Sequence, residues 1–184
     1  GYYGPRGDEP LDEDAPAGDD FLAGVVRVWE READRATEAG VRVVRLRTGV
    51  VLDAHGGALS KMLPAFKAGV GGPVAGGRQF LPWIHLDDIV SMMVEALEDE
   101  RWSGAINATA PEPASNAEFS KALGRALHRP AVGPVPALAL RALYGEMADL
   151  VVYGQRAVPR RALELGFAFR HPDLDEALES ALRR

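Results

Sequence analysis

The 184 residues predict an α/β fold: parallel strands covered by helices, followed by a mostly helical C-terminal part. Three observations carry this. Segments of period 3.6 alternate with short β-branched runs, the order expected of a parallel sheet with crossover helices. The stretch 77–97 runs from a bulky apolar strand (Phe80, Trp83, Ile84) directly into a helix whose apolar face is Ile89, Met92, Met93, Ala96 and Leu97. From Pro130 onward prolines punctuate helical patterns and strand signals fade.

The elements follow in order. The first twenty residues hold seven acids against the single Arg6, which accounts for the whole net charge of −6 and leaves twenty acids against twenty bases elsewhere. Pro10, Pro16 and Gly18 mark this leader as a solvated loop. Asp19 or Asp20 caps a helix to about Ala39, with Leu22, Val25, Val26, Trp29, Ala33 and Ala36 as its buried stripe and Gly40 as its stop. A strand from Val41 to about Leu46 resumes at Val50–Leu52 beyond a kink at Gly49. A turn at His55–Gly57 opens a short helix, kinked or restarted at Pro64, and a glycine-rich loop leads to the strand-to-helix stretch. There Asp87 and Asp88 supply the N-cap carboxylate and a favourable charge at the helix dipole. A third strand spans 104–110, and Ser115-x-x-Glu118 reads as a capping box opening a helix to about His128. Pro136 suits a helix first turn with Leu140, Leu143, Met147 and Leu150 on its apolar side, and a last helix begins near Pro172.

Composition excludes several classes. With no cysteine there is no disulfide, zinc-thiolate site or thiol catalysis, and a reducing cytoplasm is the expected location. No apolar run approaches the ~18 residues of a membrane span. A neutral body behind an acidic leader lacks the basic footprint of a nucleic-acid binder. His55, His128 and His171 stand apart with no metal spacing, so no metal centre is expected. His85, at the carboxyl end of its strand, occupies the position where open α/β sheets place ligands, and a packed structural role explains it as well.

The motifs GYYG (1–4), DFLAGVVRVWE (20–30), RVVRLRTGVVL (42–52), GGALSKMLPAFKAGVGG (56–72), WIHLDD (83–88), NATAPEP (107–113) and the tail from Arg129 through GEMADLVVYGQRAVP resemble one family together. The chain resembles the C-terminal part of the atypical extended short-chain dehydrogenase/reductases. More narrowly it is similar to the NAD-dependent epimerase/dehydratase-like proteins that end in a domain of unknown function. The resemblance implies the C-terminal half of a Rossmann-like parallel sheet over residues 1–110 and a helical, substrate-side subdomain over 111–184.

It also implies NAD or NADP as cofactor of a full-length protein, with Tyr2, Tyr3, Arg47, Thr48, Gly49 and Val50 near its nicotinamide end. Gly57, Lys61, Arg78, Gln79, Trp83 and His85 match the region that meets a small-molecule substrate, a sugar nucleotide in extended relatives. His85 is the one acid/base candidate among them. Two family features are missing from the sequence. The GxxGxxG turn that cradles the pyrophosphate is absent, so the chain reads as a fragment, inactive alone. The Tyr-x-x-x-Lys proton-transfer pair is replaced by Phe21 and Val25. A different reading makes the chain an assembly module, its tail stripe Leu140, Leu143, Met147, Leu150, Val151 and Val152 packing on a partner or a second copy.

Overall fold

The computed structural model describes residues 1–131, 133–138, 145 and 152–183. In chain order its elements are β1 (Pro10–Leu11), α1 (Phe21–Glu38), β2 (Val44–Thr48), β3 (Val50–Leu52), α2 (Gly57–Lys67), β4 (Phe80–Leu81), β5 (Trp83–His85), α3 (Leu86–Glu98), β6 (Gly104–Ala108), β7 (Ala114–Ser115), α4 (Asn116–Ala126), β8 (Arg156–Ala157), α5 (Arg160–Glu164) and α6 (Leu174–Arg183). The α/β class with parallel strands and a helical C-terminal region is as the sequence predicts.

The sheet is organised by what happens at Gly49. β2 pairs in parallel with β6 over five residues, and Gly49 N–H still donates to Ala108 O at 3.0 Å. From there the strands splay and β5 enters between them. Val50 N–H donates to Pro82 O (2.7 Å), β3 continues in parallel with β5, and Ala110 N–H donates to Trp83 O (2.6 Å). A Cβ on residue 49 would sit 2.8 Å from the Pro82 carbonyl oxygen, so only glycine permits the change of partner. The kink foreseen at Gly49 is thus a fork in the sheet. Of two minor pairings, β4 with β7 antiparallel joins the strand ahead of β5 to the start of α4, and β1 with β8 parallel joins the N-terminal leader to the C-terminal segment.

Two hydrophobic clusters cover the sheet. One gathers Leu52, Leu59, Phe66 and Trp83 with Phe119, Leu123 and Leu178 of α4 and α6. The other sets Ile84, Ile89, Met92, Trp102 and Ile106 against Ala162 and Phe167. Both draw residues from either side of residue 110.

Local signals in the sequence translate well where they are self-contained. Gly40 closes α1 at φ +76°, and the Ser115–Glu118 capping box forms in both directions. Pro64 lies inside a single helix, α2. Three expectations are corrected. α3 is capped by His85, whose Nδ1 accepts from Asp87 N–H at 3.1 Å, because Asp88 is fully buried and faces elsewhere. Its carboxylate accepts from Arg170 N–H (2.7 Å) and His171 N–H (3.1 Å), stapling the C-terminal segment to the start of α3.

The acidic leader is not a free loop. Glu13 is 5% exposed and accepts from Asn107 N–H and Arg161 N–H, while Asp12 and Asp14 pair with Arg160 and Arg161. Finally, the α1 stripe is open: Trp29 is 69% exposed and only Ala23 of the helix is buried. α1 is held by charge, through Arg45 to Asp34 (2.7 Å) and Arg47 to Glu30 (2.7 Å). Of the tail stripe proposed as an interface, Leu140, Leu143, Met147, Leu150 and Val151 lie outside the described residues. Among the described residues no helix is long and apolar enough to cross a membrane.

Candidate functional site

Where β2 and β6 diverge around β5, the carboxyl end of β2 opens into a crevice, the location at which open α/β sheets bind ligands. It has two lobes, of about 290 and 450 Å³, which meet over Thr48, Gly49, Pro82 and Gln155. The larger lobe lies between α1 and the exposed edge of β2, with Tyr2, Tyr3, Arg47 and Asn107 in its wall. The smaller is walled by Gly4, Pro5, Asp20 and Leu22 on one side, Val50 and Phe80–Pro82 on another, and Tyr153–Gln155 on the third.

Beneath the larger lobe runs a continuous polar network. The buried Tyr3 hydroxyl donates to Asn107 Oδ1 at 2.6 Å and accepts from Arg47 Nη1 at 3.0 Å. Asn107 is fully saturated, its Nδ2 donating to Leu11 O (3.1 Å) and Val158 O (2.9 Å) and its backbone N–H to Glu13 Oε1 (2.9 Å). Arg47 makes a bidentate pair with Glu30 (Nε–Oε1 2.7 Å, Nη2–Oε2 2.9 Å), and its guanidinium lies 3.3 Å from the Tyr2 ring centre. Burial opposes the Arg47 charge, but the hydrogen bonds it donates to Glu30 and Tyr3 outweigh it and hold the group protonated well above its ordinary range. Burial pushes the Tyr3 phenol up, with the Arg47 contact acting against it. The network is therefore a rigid floor. Its donors and acceptors are spent on one another, and neither Tyr3 nor Arg47 has a proton or a charge to spare for a ligand.

Tyr2, Tyr3, Arg47, Thr48 and Gly49 thus share one lobe, and Val50 joins Thr48 and Gly49 in the other. The second sequence set is scattered. Gly57 and Lys61 are exposed on α2 and Arg78 is exposed before β4; none of them lines either lobe. Gln79 is engaged in holding a turn, its Nε2 donating to Val74 O and its carbonyl accepting from Asn116 N–H. Trp83 is 1% exposed in the core.

His85 is fully buried, with its ring centre 3.8 Å from that of His171, so His171 is not isolated as its sequence position suggested. His85, His171 and Asp87 bring one donor atom each within 4.8 Å of one another. Two imidazoles bound tetrahedrally to one ion through bonds of ~2.0–2.1 Å keep their ring centres about 5 Å apart. The observed stack is closer than that, and His85 Nδ1 already caps α3, so the trio as it stands is a packing and capping cluster. Sequence reasoning gave Asp20, Leu22 and Phe80 structural roles alone, and passed over Pro82 and the segment 153–155, as residues of the crevice. No local pattern marks them, since they reach the crevice only through folding.

Comparison with known proteins matches residues 135–181 to a family described as a domain of unknown function, DUF1731. The chain is 45% identical over 183 residues to the chloroplastic epimerase family protein SDR39U1 homolog of Arabidopsis thaliana, covering 100% of this chain and 52% of that protein. It superposes on human epimerase family protein SDR39U1 (isoform 2), solved with NADPH, with a TM-score of 0.92 and 39% identity over 100% of this chain and 62% of that one. A nucleoside-diphosphate sugar epimerase from Corynebacterium glutamicum matches with a TM-score of 0.74 and 34% identity over 97% of this chain and 35% of its own. The chain therefore spans between about a third and three fifths of the relatives it matches. Sequence identity along its whole length, the terminal family match and the shared fold agree: over the part they share, the chain is similar to the SDR39U1-like epimerase family proteins.

Proposed function

We propose that this chain supplies the nicotinamide-end half of an NAD(P) site in a larger epimerase-like protein, and that a second small molecule binds beside the cofactor in the forked crevice. The observation that carries the reading is the fork itself. β5 separates β3 from β6 at Gly49 and leaves the carboxyl end of β2 open, in a chain that superposes throughout on a relative solved with NADPH. The residues present fit such a ring. Gly49 offers backbone with no side chain, Thr48 is exposed at the strand end, and Tyr2 and Tyr3 wall the lobe in front of them.

Bound there, the cofactor supplies hydride donation or acceptance. This chain's part is to position its carboxamide end with the backbone of Thr48–Val50, to hold the wall rigid through Tyr3, Asn107 and Arg47, and to keep bulk water from the floor. It contributes no Tyr–Lys proton relay, since Phe21 and Val25 stand in those places. The pyrophosphate end has no cradle in this sequence and is assigned to the remaining length of the relatives.

Titration with NADPH tests this, comparing the chain with a version extended at its N-terminus to the length of its relatives. The extended protein is expected to bind much more tightly, with Gly49→Val abolishing the difference. Equal affinity of both would overturn the division of the site.

A further inference from the structure

The smaller lobe of the crevice has a chemistry that bears on its ligand. Pro5, Leu22, Val50, Phe80, Leu81 and Tyr153 present mainly carbon to it. Among the described residues its single charged lining side chain is Asp20, a carboxylate. Recognition of a nucleoside diphosphate calls for arginine, lysine or an unoccupied helix N-terminus facing the phosphates. The helix N-terminus at this lobe belongs to α1 and is already taken: Asp20 Oδ1 accepts from Ala23 N–H at 2.7 Å, placing an acid where a phosphate would have to sit.

The nearby arginines are committed elsewhere. Arg47 pairs with Glu30, and Arg156 lies 5.0 Å over the Phe80 ring and donates to Asp8 O. Arg78 and Lys61 lie outside the lobe. With about 290 Å³, the lobe is at the lower end of ligand pockets, room for a ring or two.

We propose that the small molecule taken into this lobe is uncharged and largely apolar, an aromatic aldehyde or ketone being the plainest example, and is not a nucleoside diphosphate sugar. The proposal deepens the function stated above and rests on it for the placement of the cofactor beside the lobe. Specificity follows from the walls. Carbon surface rewards an apolar ring, and Asp20 disfavours any anion.

The test is amide-resolved NMR of the full chain titrated with acetophenone and, separately, UDP-glucose, each with and without NADPH. Acetophenone in the millimolar range is expected to shift the Gly49, Leu81 and Gly154 amides saturably, while UDP-glucose leaves them in place. Leu22 is partly exposed, so Leu22→Trp fills the lobe without disturbing the core and is expected to weaken acetophenone about tenfold. UDP-glucose moving these amides, or acetophenone failing to, overturns the proposal. In the N-terminally extended protein, NADPH leaving Thr48 and Gly49 unmoved instead counts against the cofactor placement, and the acetophenone series without NADPH still decides the character of the lobe.

Discussion

Tyr3, Asn107 and Arg47 show how three residues, 104 positions apart at the extremes, become one object. Each fills the hydrogen-bonding capacity of the next, so removing one leaves its neighbours buried and unsatisfied. Tyr3→Phe is expected to cost about 1–3 kcal/mol, read as a lower urea midpoint with unchanged slope. The same substitution changes the alkaline limb. The raised Tyr3 pKa means the folded state holds the phenolic proton more tightly than the unfolded chain, whose value is 10.0. Its contribution is complete below pH 10 and is lost as pH rises through the folded value. Above pH 10, Tyr3→Phe is therefore expected to lose stability less steeply than the parent, and parallel curves would refute the linkage.

Among the elements, the β2–β3 strand and α4 give the sharpest expectations. Gly49→Ala places a methyl 2.8 Å from Pro82 O and 3.2 Å from the Thr109 methyl, and the Pro82 backbone cannot swing aside as a flexible side chain would. A loss of about 1–3 kcal/mol is expected, together with displaced amide resonances at Val50 and Trp83. At α4, Ser115 N–H and Oγ both donate to Glu118, and Glu118 N–H returns a bond to Ser115 Oγ. The Ser115 hydroxyl, and after it the Ser115 amide, hold the Glu118 carboxyl below its ordinary value of 4.5. A lowered folded pKa stabilises above the unfolded value, and that stability fades as pH falls through the folded one. Ser115→Ala should cost about 1 kcal/mol near neutrality. The gap from the parent should close in acid below about pH 4.5; a gap constant down to pH 3 would contradict the assignment.

For the molecule as a whole, the question is what keeps the C-terminal segment on the sheet. Asp88 does much of this from inside the core, accepting two backbone N–H bonds from Arg170 and His171 while fully buried. β8 against β1 and the Arg160–Arg161 pairing with Asp12 and Asp14 fasten the same segment to the leader. Hydrogen bonds to Arg160, then Arg161, lower the Asp14 pKa, so this exposed clasp is expected to be salt-sensitive whereas the Asp88 staple is not. Asp88→Ala is expected to cost about 3 kcal/mol and to open the 165–173 stretch to limited proteolysis while the rest of the chain resists. Cleavage rates equal to the parent's would show the staple to be redundant. Because residues 153–155 wall the crevice, loosening this segment is also expected to weaken ligand binding there without altering any residue of the crevice itself.

The sequence alone determined the features whose causes are local or periodic: the alternation of helices and strands, the glycine stop of α1, the capping box at Ser115, and the break in the strand at Gly49. It also carried the family motifs, and with them the grouping of Tyr2, Tyr3, Arg47, Thr48 and Gly49, because strand ends and the loops after them sit together in any such sheet. Tertiary structure alone decided that Trp83, His85 and Gln79 are structural elements of the interior and its turns, that Glu13 is an interior anchor, and that residues 153–155 reach the crevice. Burial and ion pairing depend on which distant groups meet: one carboxylate is solvated in a loop and another, of the same residue class, accepts from two backbone amides inside the core. That choice is made by packing, and no short-range pattern encodes it.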